Sequence, residues 1–336
     1  MLNVGLIGYG YWGPNLARNL ADTEGLCLTV IADARSGQQQ AAARRHPGVA
    51  VCADAQDVLA RGDIDAVVIA TPLKTHYALA KTAIERDKHV LVEKPLAASR
   101  AEAAELGALA DRHDVRLMVD HTFVYTGAVR AMRSMIARGD IGQLLYLDSV
   151  RVNLGLFQQD SNVIWDLAAH DLAIMDYLID ERPIAVSADG ARVANFQHEN
   201  IAYITVHFDH GLLCHFHVNW LAPVKIRQML IGGEKRMLVY DDMDPSEKVR
   251  VYDKGVDFDE PDEQTRREIL VSYRTGDMHA PTLDRREALA LVTREFADAI
   301  SERRAPVTGA AEGLRVVTLL EAAEQSLRAE GRRIRL

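Results

Sequence analysis

The chain has 336 residues, of which 48% are hydrophobic and 26% are charged, and its formal net charge is −9. The composition is that of a globular protein, and the length predicts two domains because a typical domain has about 100–150 residues. The excess of negative charge excludes the usual basic surface for nucleic acid, and no apolar run comes near the roughly 20 residues of a membrane span, so we expect a soluble protein that binds neither.

Short apolar runs alternate with amphipathic segments in the first third of the chain. The runs are typical of buried strands, and the segments between them carry apolar residues at helical spacing. This alternation predicts an α/β domain with a parallel sheet, which we place at residues 1–121. The predicted strands are Asn3–Ile7, Cys27–Ala32, Ala66–Ala70, Val90–Val92 and Leu117–Val119, and the predicted helices are Pro14–Ala21, Ala55–Arg61, His76–Arg86 and Arg100–His113.

Longer strands with alternating apolar and polar residues follow this region. We predict a second, mostly antiparallel domain at residues 122–336. The charged stretch Asp241–Arg267 contains two prolines and predicts loops with one short strand near Val249–Tyr252. The predicted helices of this domain are Ala128–Arg138, Trp165–Leu178, Arg285–Arg303 and Ala310–Ala329.

The clearest predicted hairpin has one strand with two unlike faces. It pairs Ala202–Phe208 with Leu212–Trp220 across a turn that contains Gly211. One face of the second strand is apolar and must be buried, whereas the half-polar face meets either solvent or a partner. The half-polar face consists of Leu213, His215, His217 and Asn219.

Cysteine usage indicates a reducing compartment. The three cysteines, Cys27, Cys52 and Cys214, are widely spaced and odd in number, so they predict neither a disulfide framework nor a zinc site. The first ten residues have no basic leader and are interpreted as a strand and not as an export signal. We therefore predict a cytoplasmic protein.

A glycine-rich loop follows the first predicted strand. The segment matches the pattern GxGxxG, in which the glycines allow a tight turn and a close approach of the backbone to a pyrophosphate, while the next helix presents its positive end. The pattern predicts a dinucleotide cofactor. Its candidate cofactor-binding residues are Gly8, Gly10, Tyr11, Trp12 and Gly13.

Asp33 ends the second predicted strand, twenty residues after Gly13. A carboxylate at this place accepts hydrogen bonds from the adenosine ribose and repels a 2′-phosphate, which favours NAD. Arg35 lies two residues later and leaves NADP open, because an arginine here can accommodate that phosphate.

Two further segments fall at the ends of predicted strands, where open parallel sheets bind their ligands. They supply the candidate cofactor-binding residues Thr71, Pro72, His76, Glu93 and Lys94. A lysine held at this edge by a following proline is also placed to donate to a substrate oxygen.

Asp166 and His170 lie four residues apart at the start of a predicted amphipathic helix, on one face. A histidine, whose ordinary pKa is about 6.5, can take or return the proton of a reacting hydroxyl near neutral pH. When His170 is considered alone, a packed or capping role is favoured over a catalytic one.

Together these features resemble the glucose-fructose oxidoreductase, inositol dehydrogenase and rhizopine-catabolism (Gfo/Idh/MocA) family of oxidoreductases over essentially the whole chain. The motifs that carry the resemblance are the glycine loop, Ala70-Thr71-Pro72 with His76, Glu93-Lys94-Pro95, Asp166 with His170, and the terminal Glu321-Ala322-Ala323 with Ser326.

The resemblance implies a Rossmann domain followed by an α+β domain with a large, open, mostly antiparallel sheet. It implies that Lys94 and His170 flank the nicotinamide and the reacting carbon, that Asp166 binds a substrate hydroxyl, and that the peptide between Lys94 and Pro95 can be cis. It further implies no metal, and a homodimer or homotetramer formed through the open sheet face.

Within the family, the chain is most similar to members that act on nucleotide-linked sugars, such as UDP-N-acetylglucosamine 3-dehydrogenases. This similarity implies oxidation of a secondary hydroxyl, at C3 of a UDP-linked hexose or N-acetylhexosamine. Asn153, Trp165 and Asp166 then contact substrate. Lys225 and Arg227 lie two apart on a predicted strand and hence on one face, which either neutralises a diphosphate or is a solvated strand face.

Three other functions stay open at this point. The first is oxidation of a free cyclitol or monosaccharide, which needs no diphosphate-binding groups. The second is reduction of a ketosugar by NADPH. The third, a sensor that binds the dinucleotide without chemistry, is disfavoured by Lys94, Asp166 and His170, because acid–base groups cluster where chemistry happens.

Overall fold

The computed structural model describes residues 1–155, 161–194, 196–253, 255–256, 273–274 and 276–336. The chain forms two compact units. The first contains Met1–Thr126 and Arg285–Glu321, and the second contains Gly127–Asp284 and Ala322–Leu336.

The sheet of the first unit has six parallel strands in the order β3-β2-β1-β4-β5-β6. This is the strand order of a dinucleotide-binding Rossmann fold. Ala66–Ile69 is buried at every position because helices cover both faces of such a sheet. The strands are β1 (Leu2–Ile7), β2 (Leu26–Ala32), β3 (Ala50–Cys52), β4 (Ala66–Ile69), β5 (His89–Glu93) and β6 (Leu117–Asp120).

Helices connect successive strands of this sheet. The predicted helices and strands of the region are confirmed to within a few residues. The described helices are α1 (Gly13–Asp22), α2 (Ser36–Arg45), α3 (Ala55–Leu59), α4 (His76–Ile84) and α5 (Arg100–Arg112), with short 3₁₀ turns at Leu73–Thr75 and Thr122–Tyr125.

Two elements of the first unit were not predicted. In α2 only Ala42 is buried, so its glutamine-rich sequence has little apolar periodicity to detect. β3 has three residues, fewer than the four to eight on which a strand pattern depends.

A segment from the end of the chain completes the first unit. The helix α8 (Ala288–Ser301) packs on α1, where Thr23 and Thr293 share a hydrogen bond of 2.7 Å between their hydroxyls. The Val119 amide donates to the Thr308 carbonyl at 2.7 Å. The first unit therefore differs from the predicted contiguous domain 1–121, because residues 285–321 were assigned to the second domain. A helical sequence pattern does not show which unit the helix packs against.

The second unit contains a nine-stranded sheet. Its strand order is β16-β13-β12-β11-β7-β10-β9-β8-β17, and every pair is antiparallel except β7 with β10. Its strands are β7 (Leu144–Leu154), β8 (Ala185–Ala191), β9 (Ile201–His207), β10 (Leu213–Asn219), β11 (Leu221–Gly233), β12 (Met237–Asp241), β13 (Val249–Tyr252), β16 (Met278–His279) and β17 (Ile334–Arg335), and a separate pair joins β14 (Gly255–Val256) to β15 (Tyr273–Arg274).

The strand predicted near Val249–Tyr252 is confirmed, and the part of the predicted loop at 257–267 lies outside the described residues. The predicted hairpin is confirmed as β9 and β10, with Cys214, Phe216 and Val218 buried on one face. The helical elements are α6 (Gly127–Ala137), a π-helical turn at Ile164–Ala168, α7 (Ala169–Leu178), and α9 (Ala310–Arg328), within which the boundary between the units falls.

None of the helices in the described part of the chain is both long and apolar enough to span a lipid bilayer.

Candidate active site

The glycine loop forms a tight cradle after β1. Gly8 has a φ of +99°, and a Cβ there would lie 2.3 Å from the Ala70 carbonyl oxygen. A Cβ on Gly13 would lie 2.5 Å from the Gly8 carbonyl oxygen. A Cβ on Gly10 would approach only the Arg35 guanidinium, at 3.3 Å. The loop is therefore packed tightly against the backbone at Gly8 and Gly13, whereas the space beside Gly10 is open. This open space suits a pyrophosphate at the start of α1.

A cavity of about 1120 Å³ lies along the carboxyl edge of the first sheet. It brings together the residues predicted from the ends of β2, β4 and β5 and those predicted from the glycine loop, except Gly13. This location agrees with the rule that open parallel sheets bind ligands beyond the carboxyl ends of their strands. The predicted residues that line it are Gly8, Gly10, Tyr11, Trp12, Asp33, Arg35, Thr71, Pro72, His76, Glu93 and Lys94.

Asp33 is buried and held by several donors. Its carboxylate accepts from the Tyr9 amide at 2.7 Å and from the Arg35 amide at 2.9 Å. The Arg35 guanidinium donates to both oxygens, at 3.0 and 2.9 Å. Burial raises the pKa of Asp33, but the hydrogen bonds from Arg35 and Tyr9 outweigh it and hold this pKa below its ordinary value. The carboxylate therefore stays ionised in a fixed orientation.

His76 connects the ends of two strands. Its Nε2 lies 2.8 Å from the Thr71 carbonyl oxygen, and its Nδ1 lies 2.9 Å from the Pro95 carbonyl oxygen. The residue is 1% exposed. The peptide between Lys94 and Pro95 is cis.

Asp120, which was not predicted from the sequence, contacts Trp12 and lies opposite Glu93, two residues that line the cavity. It ends β6 and accepts hydrogen bonds from Trp12 Nε1 at 3.2 Å and from Thr122 Oγ1 at 2.6 Å. The Glu93 carboxyl faces it, and burial together with the Asp120 charge raises the pKa of Glu93 well above its ordinary value. Burial also raises the pKa of Asp120. An acidic residue directly after a strand, beside Glu93 on the next strand, was the available signal.

The second unit holds Asp166 in a π-helical turn and His170 in the first turn of α7. Trp220 Nε1 donates to Asp166 Oδ2 at 3.0 Å. His170 is half-buried. Trp165 was predicted to contact substrate, but it is 7% exposed and its Nε1 donates to Glu324 at 2.8 Å. Most of its side chain is therefore packed in the core of the second unit.

The predicted diphosphate-binding pair has two unlike members. Both residues lie on β11, where Lys225 is exposed. Arg227 is half-buried and forms an ion pair with Asp242 at 3.1 Å, so its charge is already balanced inside the unit. Asn153, the remaining predicted substrate contact, is half-buried near the end of β7.

A buried ion pair holds α7 against the sheet. Arg151 on β7 donates to Asp171 through Nε, at 3.0 and 2.9 Å, and through Nη2, at 2.6 Å. The two side chains are 3% and 2% exposed. Asp171 follows His170 directly, so this pair fixes the helix turn that carries the predicted catalytic residue. This pair was not predicted from the sequence.

The half-polar face of β10 carries an aromatic stack. The Tyr203 ring lies 4.5 Å from the His217 ring and 6.1 Å from the His215 ring, in both cases nearly parallel. Tyr203 is 45% exposed and Leu213 is 46% exposed. Within the described residues, no group of three or more His, Cys, Asp or Glu is arranged to hold a metal ion.

Two family models match the chain. Residues 2–121 match the model of the oxidoreductase family with an NAD-binding Rossmann fold, and residues 129–239 match the model of the GFO/IDH/MocA C-terminal domain. The chain belongs to the Gfo/Idh/MocA oxidoreductase family. The predicted family and fold class are thereby confirmed, and this Gfo/Idh/MocA protein is an oxidoreductase whose first unit is an NAD-binding Rossmann domain.

Several known proteins are similar to this Gfo/Idh/MocA protein. Inositol 2-dehydrogenase 2 of Saccharopolyspora erythraea is 28% identical over 63% of this chain and 65% of its own. A crystal structure of a putative oxidoreductase from Magnetospirillum magnetotacticum is 29% identical, with a TM-score of 0.81 over 96% of this chain and 99% of its own. UDP-N-acetylglucosamine 3-dehydrogenase GnnA from Acidithiobacillus ferrooxidans is 23% identical, with a TM-score of 0.82 over 98% of each chain, and shows the same fold.

Proposed function

We propose that this protein oxidises a secondary hydroxyl of a sugar or cyclitol by hydride transfer to NAD. The observation that carries the proposal is the cavity of the first unit, which Asp33 and Lys94 both line. An ionised carboxylate in this cavity suits the adenosine ribose, and a lysine suits the oxygen of a reacting alcohol.

The proposal assigns proton transfer to Lys94 and His170 and hydroxyl binding to Asp166. One of the two basic groups takes the hydroxyl proton while the other donates to the same oxygen and offsets the charge that develops on it. Asp166 accepts from Trp220 at 3.0 Å, which fixes its carboxylate before substrate arrives. NAD supplies the acceptor for the hydride.

For the substrate, we propose a UDP-linked hexose or N-acetylhexosamine oxidised at C3. The exposed Lys225 supports this choice because an ammonium at the surface can neutralise a diphosphate. The fold shared with a UDP-N-acetylglucosamine 3-dehydrogenase is compatible with it.

The ion pair between Arg227 and Asp242 favours a second candidate, a free cyclitol or monosaccharide. Such a substrate needs no diphosphate-binding cation. The ion pair with Asp242 engages Arg227, which is one of the two cations predicted to bind a diphosphate. The inositol dehydrogenase relative is compatible with this choice.

A substrate panel distinguishes the two candidates. Purified protein is mixed with NAD or NADP and with UDP-sugars, free hexoses or inositols, and absorbance of the reduced nicotinamide is followed. Turnover with NAD and a UDP-sugar supports the first candidate, and turnover only with free polyols supports the second. Binding of NAD without turnover in any mixture contradicts the oxidative direction and favours the reduction of a ketosugar.

Replacing Lys225 by alanine is expected to raise the KM for a UDP-sugar about 10- to 100-fold, because one charge-assisted contact to the diphosphate contributes about 1.5–3 kcal/mol. The kcat should change little. Arg182→Ala, an exposed cation elsewhere in the second unit, is the matched control. A KM equal to that of the control contradicts the diphosphate role of Lys225.

We also propose that the half-polar face of the second sheet joins copies of the chain into a dimer or tetramer. Exposed Tyr203 and Leu213 support this, because apolar side chains on an open sheet are stabilised by a partner surface. Tyr203→Glu is expected to convert the oligomer to a monomer in light scattering after size exclusion. A wild-type protein that is already monomeric contradicts the proposal.

A further inference from the structure

His76 makes two contacts that require two donors. Its ring nitrogens lie 2.8 Å from the Thr71 carbonyl oxygen and 2.9 Å from the Pro95 carbonyl oxygen. A carbonyl oxygen only accepts hydrogen bonds, and a neutral imidazole has one N–H. With one proton on the ring, one of the two contacts sets a nitrogen lone pair against an oxygen lone pair. Only the imidazolium satisfies both carbonyls.

The two carbonyls belong to different parts of the cofactor cavity. Thr71 follows β4, and Pro95 follows Lys94 at the end of β5. His76 itself begins α4 and is 1% exposed, so solvent cannot replace either contact. The protonation state of this ring therefore determines whether the turn after β5 is tied to the turn after β4.

The surroundings of His76 oppose its second proton. Burial lowers the pKa of His76, the two carbonyl contacts raise it, and the positive charge of Lys94 lowers it further, so that the net direction is downward. Lys74 also lines the cavity and adds positive charge. Of the acidic residues there, Asp33 is engaged by Arg35 and Tyr9, Asp54 caps the helix α3, and burial together with the Asp120 charge raises the pKa of Glu93. A further negative charge in the cavity would therefore favour the second proton on His76.

A dinucleotide supplies this charge, because its pyrophosphate is anionic at neutral pH. We propose that His76 takes up one proton from solvent when the dinucleotide binds and then donates to both carbonyls, so that cofactor binding locks the turn that carries Lys94. The inference rests on the proposed placement of the cofactor in this cavity. His76 is thus a positioning residue, and the change is the conversion of imidazole to imidazolium.

Linkage gives the sign of the effect. Because His76 has a higher pKa in the complex than in the free protein, NAD binds more tightly as pH falls through the pKa of the complex, and the gain levels off below the pKa of the free protein. Between these two values the Kd should fall by up to about tenfold for each pH unit. NADH, which lacks the positive nicotinamide ring, should produce the larger uptake.

Isothermal titration of the protein with NAD in two buffers of different ionisation enthalpy counts the protons directly. Wild-type protein should take up a fraction of one proton near pH 7.5. His76→Asn, which does not titrate and has one side-chain nitrogen in place of the two ring nitrogens, should lose this uptake and the pH dependence of Kd, and should bind NAD about tenfold more weakly. His113→Asn, a histidine paired with Asp87 outside the cavity, is the matched control and should retain the uptake.

A measurement on the wild-type chain guards against a variant that fails to fold. With ¹⁵N-labelled histidine, the His76 ring nitrogens should change from one protonated nitrogen to two when NAD is added at neutral pH. NAD binding without any change at this ring, or an uptake that persists in His76→Asn, overturns the inference and leaves the proposed function intact. Failure of NAD to bind at all overturns both.

Discussion

Replacing Lys94 by alanine is expected to lower kcat about 10²–10⁴-fold, the range for loss of a group that transfers a proton or stabilises developing charge. The Kd for NAD should stay nearly constant, because the glycine cradle and Asp33 are untouched. Stopped-flow measurement of hydride transfer gives the first value, and quenching of protein fluorescence by the cofactor gives the second.

Lys81→Ala is the matched control for this experiment. Lys81 belongs to the same unit but pairs with Glu105 away from the cavity, so its removal should leave both constants near their original values. A Lys94→Ala protein with full kcat contradicts the catalytic role. The same comparison with His170→Asn shows, through the limb of the pH–rate profile that each variant loses, which group is the base.

Replacing Asp171 by alanine is expected to lower the free energy of unfolding of the second unit by about 3–5 kcal/mol, because it leaves the Arg151 charge buried without its carboxylate. Urea unfolding followed by tryptophan fluorescence measures the loss, since Trp165 and Trp220 both lie in this unit.

Two comparisons identify the cause. The double variant Arg151→Met/Asp171→Leu should recover most of the lost stability, because an apolar pair of similar volume can replace a buried ion pair. Asp180→Ala breaks the ion pair of Asp180 with Arg133 at the surface, where the Asp180 side chain is 83% exposed, and should cost far less. Equal losses for Asp171→Ala and Asp180→Ala would show that burial of the first pair has no energetic weight.

The first sheet and its glycine loop were predictable because their signals are local. Buried parallel strands appear as short apolar runs, and the steric demands of a pyrophosphate turn fix glycines at set distances. Asp33 and Lys94 were predicted for the same reason, since Asp33 directly follows such a run and Lys94 lies two residues after one. The rule that ligands bind beyond strand ends predicts that the two residues lie close together, and both line the cavity of the first unit.

Side-chain pairs that join distant segments were not predictable in the same way. Arg151 and Asp171 lie on a strand and a helix, and neither pattern alone shows that the two charges meet. Arg227 was predicted to be available to a diphosphate, yet its charge is neutralised by Asp242, which directly follows β12. The double carbonyl contact of His76 depends on the exact approach of two turns, which spacing along the chain does not give.

The return of residues 285–321 to the first unit has a consequence for biosynthesis. The nucleotide-binding sheet is translated first, but α1 lacks its cover until α8 has left the ribosome, which happens after the entire second sheet has been made. The face of α1 that α8 covers therefore stays exposed until then, and a chain that is truncated before residue 285 has an incomplete first unit. The first unit, whose sheet is synthesised early, is therefore complete only after residues 285–321 have been synthesised.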